Sequence, residues 1–324
     1  MWRWTMRIFV VLGAFLIVAA LSGATYQWLA TRKELAATPP PGHLVDIGGY
    51  SLHLWCTGDG APAVILDTGL GGSSADWGFV QPDVARFTRA CSYDRAGMGY
   101  SDPGPSPRTA RRIASELAEL LVRSGIGGPV VLVGASIAGF DVRVFASDHP
   151  ERAAGLVLVD ASHEDQAHEV PQMARFVPLL STIGVLRLFG VSFGQRIESL
   201  APAARHSRGR RVSAQPDTRR RLTKSFIFGR ARPKSGARAA SSPSLSSRHR
   251  WPGSRRELAT VATRSASLSE RGCLMIAQES GHVVSVDQPE VVVDAIRTVV
   301  ETARGHDVPL CATRANVERG RPRQ

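Results

Sequence analysis

The stretch VVLVGASIAG at residues 130–139 decides how this chain is read. Four aliphatic residues run into Gly134, and Ser136 follows just before Ile137, Ala138 and Gly139. A short apolar run closed by glycine is the pattern of a strand buried on both faces. Small residues at 134, 138 and 139 allow that strand to turn sharply into a helix. On such a corner a serine hydroxyl is exposed beside a helix N-terminus. The alternative is an ordinary serine at the start of a Gly/Ala-rich helix. The helix expected from about residue 137 to 147 and the strand before it favour the corner.

A serine is a poor nucleophile unless a base, itself oriented by a third group, takes its proton. LVD (44–46) and SLHLWC (51–56) flank a Gly48-Gly49 turn and predict a hairpin. AVILDTG (63–69) reads as a strand ending in glycine, ACSYDRAG (90–97) as a strand and turn, and DWGFVQPDVARF (76–87) as a helix. Residues 109–125 predict an amphipathic helix with Thr109 as cap and glycine at its end. GLVLVDAS (155–162) contains a strand, CLMIAQESGH (273–282) reads as a strand and loop, and residues 289–303 as a helix opened by Pro289. Alternating strands and helices predict an α/β fold with a mostly parallel sheet covered on both faces.

In such sheets ligands gather at the carboxyl ends of the strands. Asp160 follows GLVLV, and His282 lies just beyond CLMIA, before the last helix. The order Ser136, Asp160, His282 is nucleophile, acid, base. Taken alone, His282 would more often be a loop histidine, and Asp160 a turn or capping residue. An oxyanion needs two backbone donors. The candidates are the N–H of Ile137, after the serine, and that of Leu70 in the glycine-rich loop DTGLGGSS (67–74). No metal-ligand spacing occurs among the four cysteines, so no metal or organic cofactor is expected.

LDTGLGGSSADW, YDRAGMGYSDPGP, VVLVGASIAGF, GLVLVDASHEDQ and ESGHVVSVDQPEVVVDAI resemble, in this order, serine hydrolases of the α/β-hydrolase superfamily. The resemblance covers residues 43–165 and about 257–303. It implies an eight-stranded, mostly parallel sheet flanked by helices, with a cap inserted after the sixth strand. It also implies cleavage of carboxylic esters or related acyl bonds of a small-molecule substrate through an acyl-Ser136 intermediate. Ser136 argues against the halide and epoxide hydrolysis of members with an aspartate nucleophile. The superfamily often places its acid after the seventh strand, yet residues 218–256 contain no Asp or Glu. Asp160 is therefore the expected acid, with Glu164 and Asp165 as weaker alternatives. In this architecture the second strand runs antiparallel beside the fourth, which makes a Cys56–Cys91 disulfide plausible in an exported domain.

The charge is concentrated. Of the 40 Lys/Arg in this 324-residue chain, 16 lie at 205–256 beside one acidic residue, and the remainder is mildly acidic. No nucleic-acid-binding element is visible there, so a nucleic-acid partner is not expected. The Arg/Ser/Ala/Pro composition predicts no packed core element, and SFIF (225–228) is its only strand-like run. It reads as an anion-attracting part of the cap, as an unstructured insertion, or as a stretch read out of frame.

At the other end, Arg3 and Arg7 precede 17 uncharged residues, 8–24. That is a signal peptide or membrane anchor, with Tyr26 and Trp28 at the interfacial position. The expected organisation is an N-terminal signal or anchor at 1–30 and a stiff linker at 31–42. The hydrolase domain follows at 43–304, with its cap and basic segment at 163–256, and then a flexible tail at 305–324. The domain is expected to be extracytoplasmic, anchored or exported. The alternative function is a catalytically impaired hydrolase fold acting as a membrane-associated binding protein, with segment 205–256 as the source of impairment.

Overall fold

The computed structural model describes residues 2–37, 39–162, 176–188, 224–229, 273–277 and 280–308. The chain divides into two compact units, one of residues 1–40 and 170–199, the other of 41–169 and 200–324.

The smaller unit contains helix α1 (Trp2–Ala37) and two short helices, α5 (Val177–Thr182) and α6 (Val185–Leu188). At about 1.5 Å per residue, a helix of 36 residues is far longer than the ~30 Å hydrocarbon core of a bilayer. Its large apolar side chains, among them Phe9, Phe15, Ile17 and Leu21, are exposed on every side. Helix α1 continues through 31–37, where a linker was expected, because Lys33-Glu34-Leu35-Ala36-Ala37 are strong helix formers. Prolines 39–41 then forbid its continuation.

In the larger unit eight strands, among the described residues, form one sheet in the order β1-β2-β4-β3-β5-β6-β7-β8. They are β1 (His43–Asp46), β2 (Ser51–Thr57), β3 (Ala63–Asp67), β4 (Ala90–Tyr93), β5 (Val130–Ala135), β6 (Ala153–Val159), β7 (Lys224–Gly229) and β8 (Cys273–Ala277). The β4-β3-β5-β6 centre is parallel. Strand β2 runs antiparallel to both neighbours, and so does β7. The sheet is thus α/β in class but more mixed at its far edge than the sequence suggested. Strand β7 falls inside the basic segment and contains its SFIF run, so residues 224–229 belong to the sheet rather than to a cap. Of the expected cap, residues 176–188 carry α5 and α6 of the smaller unit, while 163–175, with Glu164 and Asp165, 189–223 and 230–256 lie outside the described residues, as does the tail beyond residue 308.

Alternation along the central strands feeds two cores. On one face Ile65, Val130, Leu132 and Leu158 pack with Leu117, Leu120 and Leu121 of α3 (Ala110–Arg123) and Val142 and Phe145 of α4 (Ala138–Asp148). On the other, Val64, Leu66, Val131, Val133, Val157 and Val159 meet Val292, Ile296, Val299 and Val300 of α8 (Pro289–Ala303). Among the described residues this unit also has two shorter α-helices, α2 (Gln81–Val84) and α7 (Val284–Asp287). Strands buried on both faces explain why their sequences are continuous apolar runs. Helix α3 starts where expected: Thr109 Oγ1 accepts the Arg112 N–H at 3.2 Å. Cys56 and Cys91 are cross-strand partners on β2 and β4, joined by a disulfide.

Candidate functional site

Ser136 stands between β5 and α4 with φ 53°. This left-handed conformation is unfavourable for a serine and is over-determined by its surroundings. Its N–H donates to Val159 O at 3.1 Å, and its carbonyl accepts from Gly139 N at 3.0 Å and Ser162 N at 2.9 Å. The small neighbours are required. A Cβ on Gly134 would lie 2.7 Å from Val142 Cγ2, and one on Gly139 would lie 2.6 Å from Ala161 Cβ. The corner therefore forms as the glycine pattern predicts, and the Ile137 N–H opens the helix beyond it.

Asp160 follows β6 and also has positive φ, 43°. Its Oδ2 lies 2.8 Å from His282 Nδ1. His282 sits in the loop after β8, with 62% of its side chain exposed. Asp287 at the end of α7 braces that loop, accepting from Gly281 N at 2.5 Å and from Ser280 Oγ at 3.3 Å. On the opposite side, Arg143 of α4 donates to Gly139 O at 2.9 Å and Ser162 O at 3.1 Å, pinning the chain just after Asp160. The fold thus brings Asp160 and His282 into direct contact. Among the described residues, no hydrogen bond joins the His282 imidazole to Ser136 Oγ.

The loop carrying Leu70 approaches the serine through Gly69. A Cβ there would lie 3.2 Å from Ser136 Cβ and 3.7 Å from its Oγ. The loop is tied down behind this contact. Thr68 Oγ1 donates to Asp76 Oδ2 at 2.9 Å, and the Ser74 N–H donates to buried Asp94 at 2.6 Å. Asp94 also accepts from Tyr100 N at 3.0 Å and pairs with buried His53 at 2.9 Å.

Below Gly69 lies a buried charge cluster that the sequence did not reveal. Arg95 reaches Gly69 O at 2.6 Å and Asp141 at 2.9 Å, with Asp67 at 3.7 Å. Tyr93 donates its hydroxyl to Asp67 at 2.8 Å. Burial pushes the Asp141 carboxyl up to about 7, the nearby Asp67 charge adding to the rise and Arg95 opposing it. Burial likewise raises Asp67, against the pull of Arg95. The only trace of this cluster in the sequence is charged residues breaking apolar runs, which names no partners. Among the described residues, no group of three or more His, Cys, Asp or Glu side chains could hold a metal ion.

Residues 62–226, just over half of the chain, match the α/β-hydrolase fold family. The chain belongs to that family. An uncharacterised protein of Schizosaccharomyces pombe is 36% identical over 119 residues, 35% of this chain and 22% of the relative. An uncharacterised vacuolar membrane protein of Saccharomyces cerevisiae is 30% identical over 142 residues, 38% of this chain and 22% of the relative. RutD of Variovorax paradoxus, named as a candidate carbamate hydrolase, is 32% identical over 142 residues, 42% of this chain and 50% of the relative. This α/β-hydrolase chain spans half or less of the length of the curated relatives it matches. The family match runs from just before β3 into β7, and so includes the Ser136 corner and Asp160 but stops short of His282.

Proposed function

We propose that this protein is a membrane-anchored serine hydrolase that cleaves carboxylic esters or related acyl bonds. The observation carrying this reading is the 2.8 Å contact between His282 Nδ1 and Asp160, two residues far apart in sequence, beside a serine on a strained strand–helix corner. With Nδ1–H donated to Asp160, the proton-free nitrogen is Nε2, the tautomer a general base needs. His282 Nε2 takes the Ser136 Oγ proton as Oγ attacks the acyl carbon. The oxyanion accepts from the Ile137 and Leu70 N–H groups. Collapse expels the alkoxide, which takes the proton from Nε2. Water, deprotonated by His282 Nε2, then attacks the acyl carbon, and the C–O bond to Ser136 breaks as Oγ takes that proton back, releasing the acid. Hydrogen bonds between base and nucleophile are commonly long without substrate and tighten in the Michaelis complex.

Retention of α1 as an anchor is supported from within the smaller unit. Arg187 of α6 pairs with Glu34 and donates to Gln27 Oε1 at 2.9 Å and Thr31 Oγ1 at 3.2 Å. Gly23 abuts the Ile183 carbonyl so closely that a Cβ has no room. Cleavage after Ala24 would break up a packed unit. Arg3 and Arg7 before the apolar span favour a cytoplasmic N-terminus, and the disulfide suits an oxidising compartment.

A fluorophosphonate probe tests the chemistry. The full chain should label, and Ser136→Ala and His282→Ala should not. Folded wild-type protein that neither labels nor turns over p-nitrophenyl acetate would overturn the hydrolase reading in favour of a binding protein.

A further inference from the structure

We propose that Arg95 is a positioning residue that orients the Leu70 N–H toward a developing oxyanion by holding the Gly69–Leu70 peptide. This rests on the serine-hydrolase reading and assigns a role outside its triad. A peptide unit is planar and trans, so its C=O and N–H point in opposite directions in one plane. Whatever holds the Gly69 carbonyl therefore sets the direction of the Leu70 N–H. That carbonyl receives Arg95 Nη2 at 2.6 Å and, across a tight turn, Gly72 N at 3.2 Å. A Cβ added at Gly69 would lie 3.2 Å from Ser136 Cβ, so the same peptide passes close to the serine.

The other arm of the guanidinium, Nη1, is held by Asp141 at 2.9 Å. Asp141 lies on α4, the helix that begins two residues after Ser136 and whose first turn follows the Ile137 N–H. One rigid planar fork thus references both candidate oxyanion donors to each other, one through the loop and one through the helix. A lysine offers a point charge without that fork. Arg95 is 6% exposed, Asp141 4% and Asp67 fully buried. Burying such charges is costly unless they are paired. Packing alone would be served as well by apolar side chains, which could not fix the rotation of a peptide.

The test compares the full chain with Arg95→Lys and Arg95→Met. Arg95→Lys keeps a cation between Asp67 and Asp141 and so preserves the fold if Arg95→Met does not. Removing one oxyanion donor costs about 10²–10³ in kcat, so a misdirected donor should lower kcat on p-nitrophenyl acetate by about 10- to 100-fold in Arg95→Lys. KM should stay within about two-fold, because the contact acts only on the transition state. Inhibition by an alkyl trifluoromethyl ketone, captured by Ser136 as a hemiketal anion, should weaken by the same factor as kcat/KM. Deuterium uptake in residues 68–73 should rise, with β5 and α3 unchanged. A folded Arg95→Lys with kcat and ketone affinity within two-fold of wild type overturns the proposal. If wild type shows no turnover and no fluorophosphonate labelling, the hydrolase reading fails. Unchanged uptake at 68–73 would then overturn the positioning role independently.

Discussion

Ser136 and Asp160 both hold left-handed backbone, at the carboxyl ends of adjacent strands β5 and β6. For a residue with a Cβ this conformation costs about 1–2 kcal/mol, offset by the hydrogen bonds around the corner. Ser136→Gly should therefore abolish activity yet unfold at higher urea concentration than Ser136→Ala, by about 1 kcal/mol in equilibrium denaturation. Asp160→Asn keeps the shape but reverses the hydrogen-bond demand on His282 Nδ1. It should lower kcat on the order of 10³- to 10⁴-fold with little change in KM. Asp141 supplies a pH signature. Its folded value, near 7, stands above the ordinary 3.8. Between those values the folded state binds the extra proton, so this group makes stability fall as pH rises from about 4 through 7. Asp141→Asn should flatten that part of the stability–pH curve, measured by thermal unfolding at fixed ionic strength. Ser136, Asp160 and His282 could be named as candidates from the sequence because each follows a predicted strand, where side chains converge. Arg95 could not, since a charged residue after a strand does not announce which carbonyl it will hold.

At the level of elements, local chemistry carried far. Thr109 marks the start of α3, Pro289 that of α8, and the Gly48-Gly49 turn the β1–β2 hairpin. Helix α1 extends further than the stiff linker expected at 31–42 allows, because Arg32, Lys33, Glu34, Ala36 and Ala37 are good helix formers and only the prolines at 39–41 stop it. Strand β7 was the least legible element. SFIF alone is too short to separate a strand from a buried helical turn, and it lies in a run of basic residues whose composition argues against any core element. What admits it is the sheet edge, where β6 and β8 each pair with it. The disulfide belongs to this scale too, since it ties β2 to β4. Cys56→Ser with Cys91→Ser should lower unfolding stability by about 2–4 kcal/mol. Urea denaturation of the oxidised and double-variant proteins measures it.

For the molecule as a whole, charge and hydropathy are segregated along the chain rather than spread over it. The apolar span of α1 and the basic stretch at 205–256 account for most of the unusual composition. The full chain should remain in the membrane pellet after alkaline carbonate extraction, and intact-mass measurement should find residues 1–30 retained. A soluble product starting near residue 25 would show cleavage instead. Periodicity, glycine placement and the order of Ser136, Asp160 and His282 are properties of neighbouring residues, and they were enough for the α/β class and the candidate triad. Three features came only from the folded chain: the 2.8 Å reach of His282 to Asp160, the pairing of β7 into the sheet, and the grip of Arg95 on Gly69. Each depends on which distant segments become neighbours once two apolar faces are buried. Local pattern carries no coordinate for that.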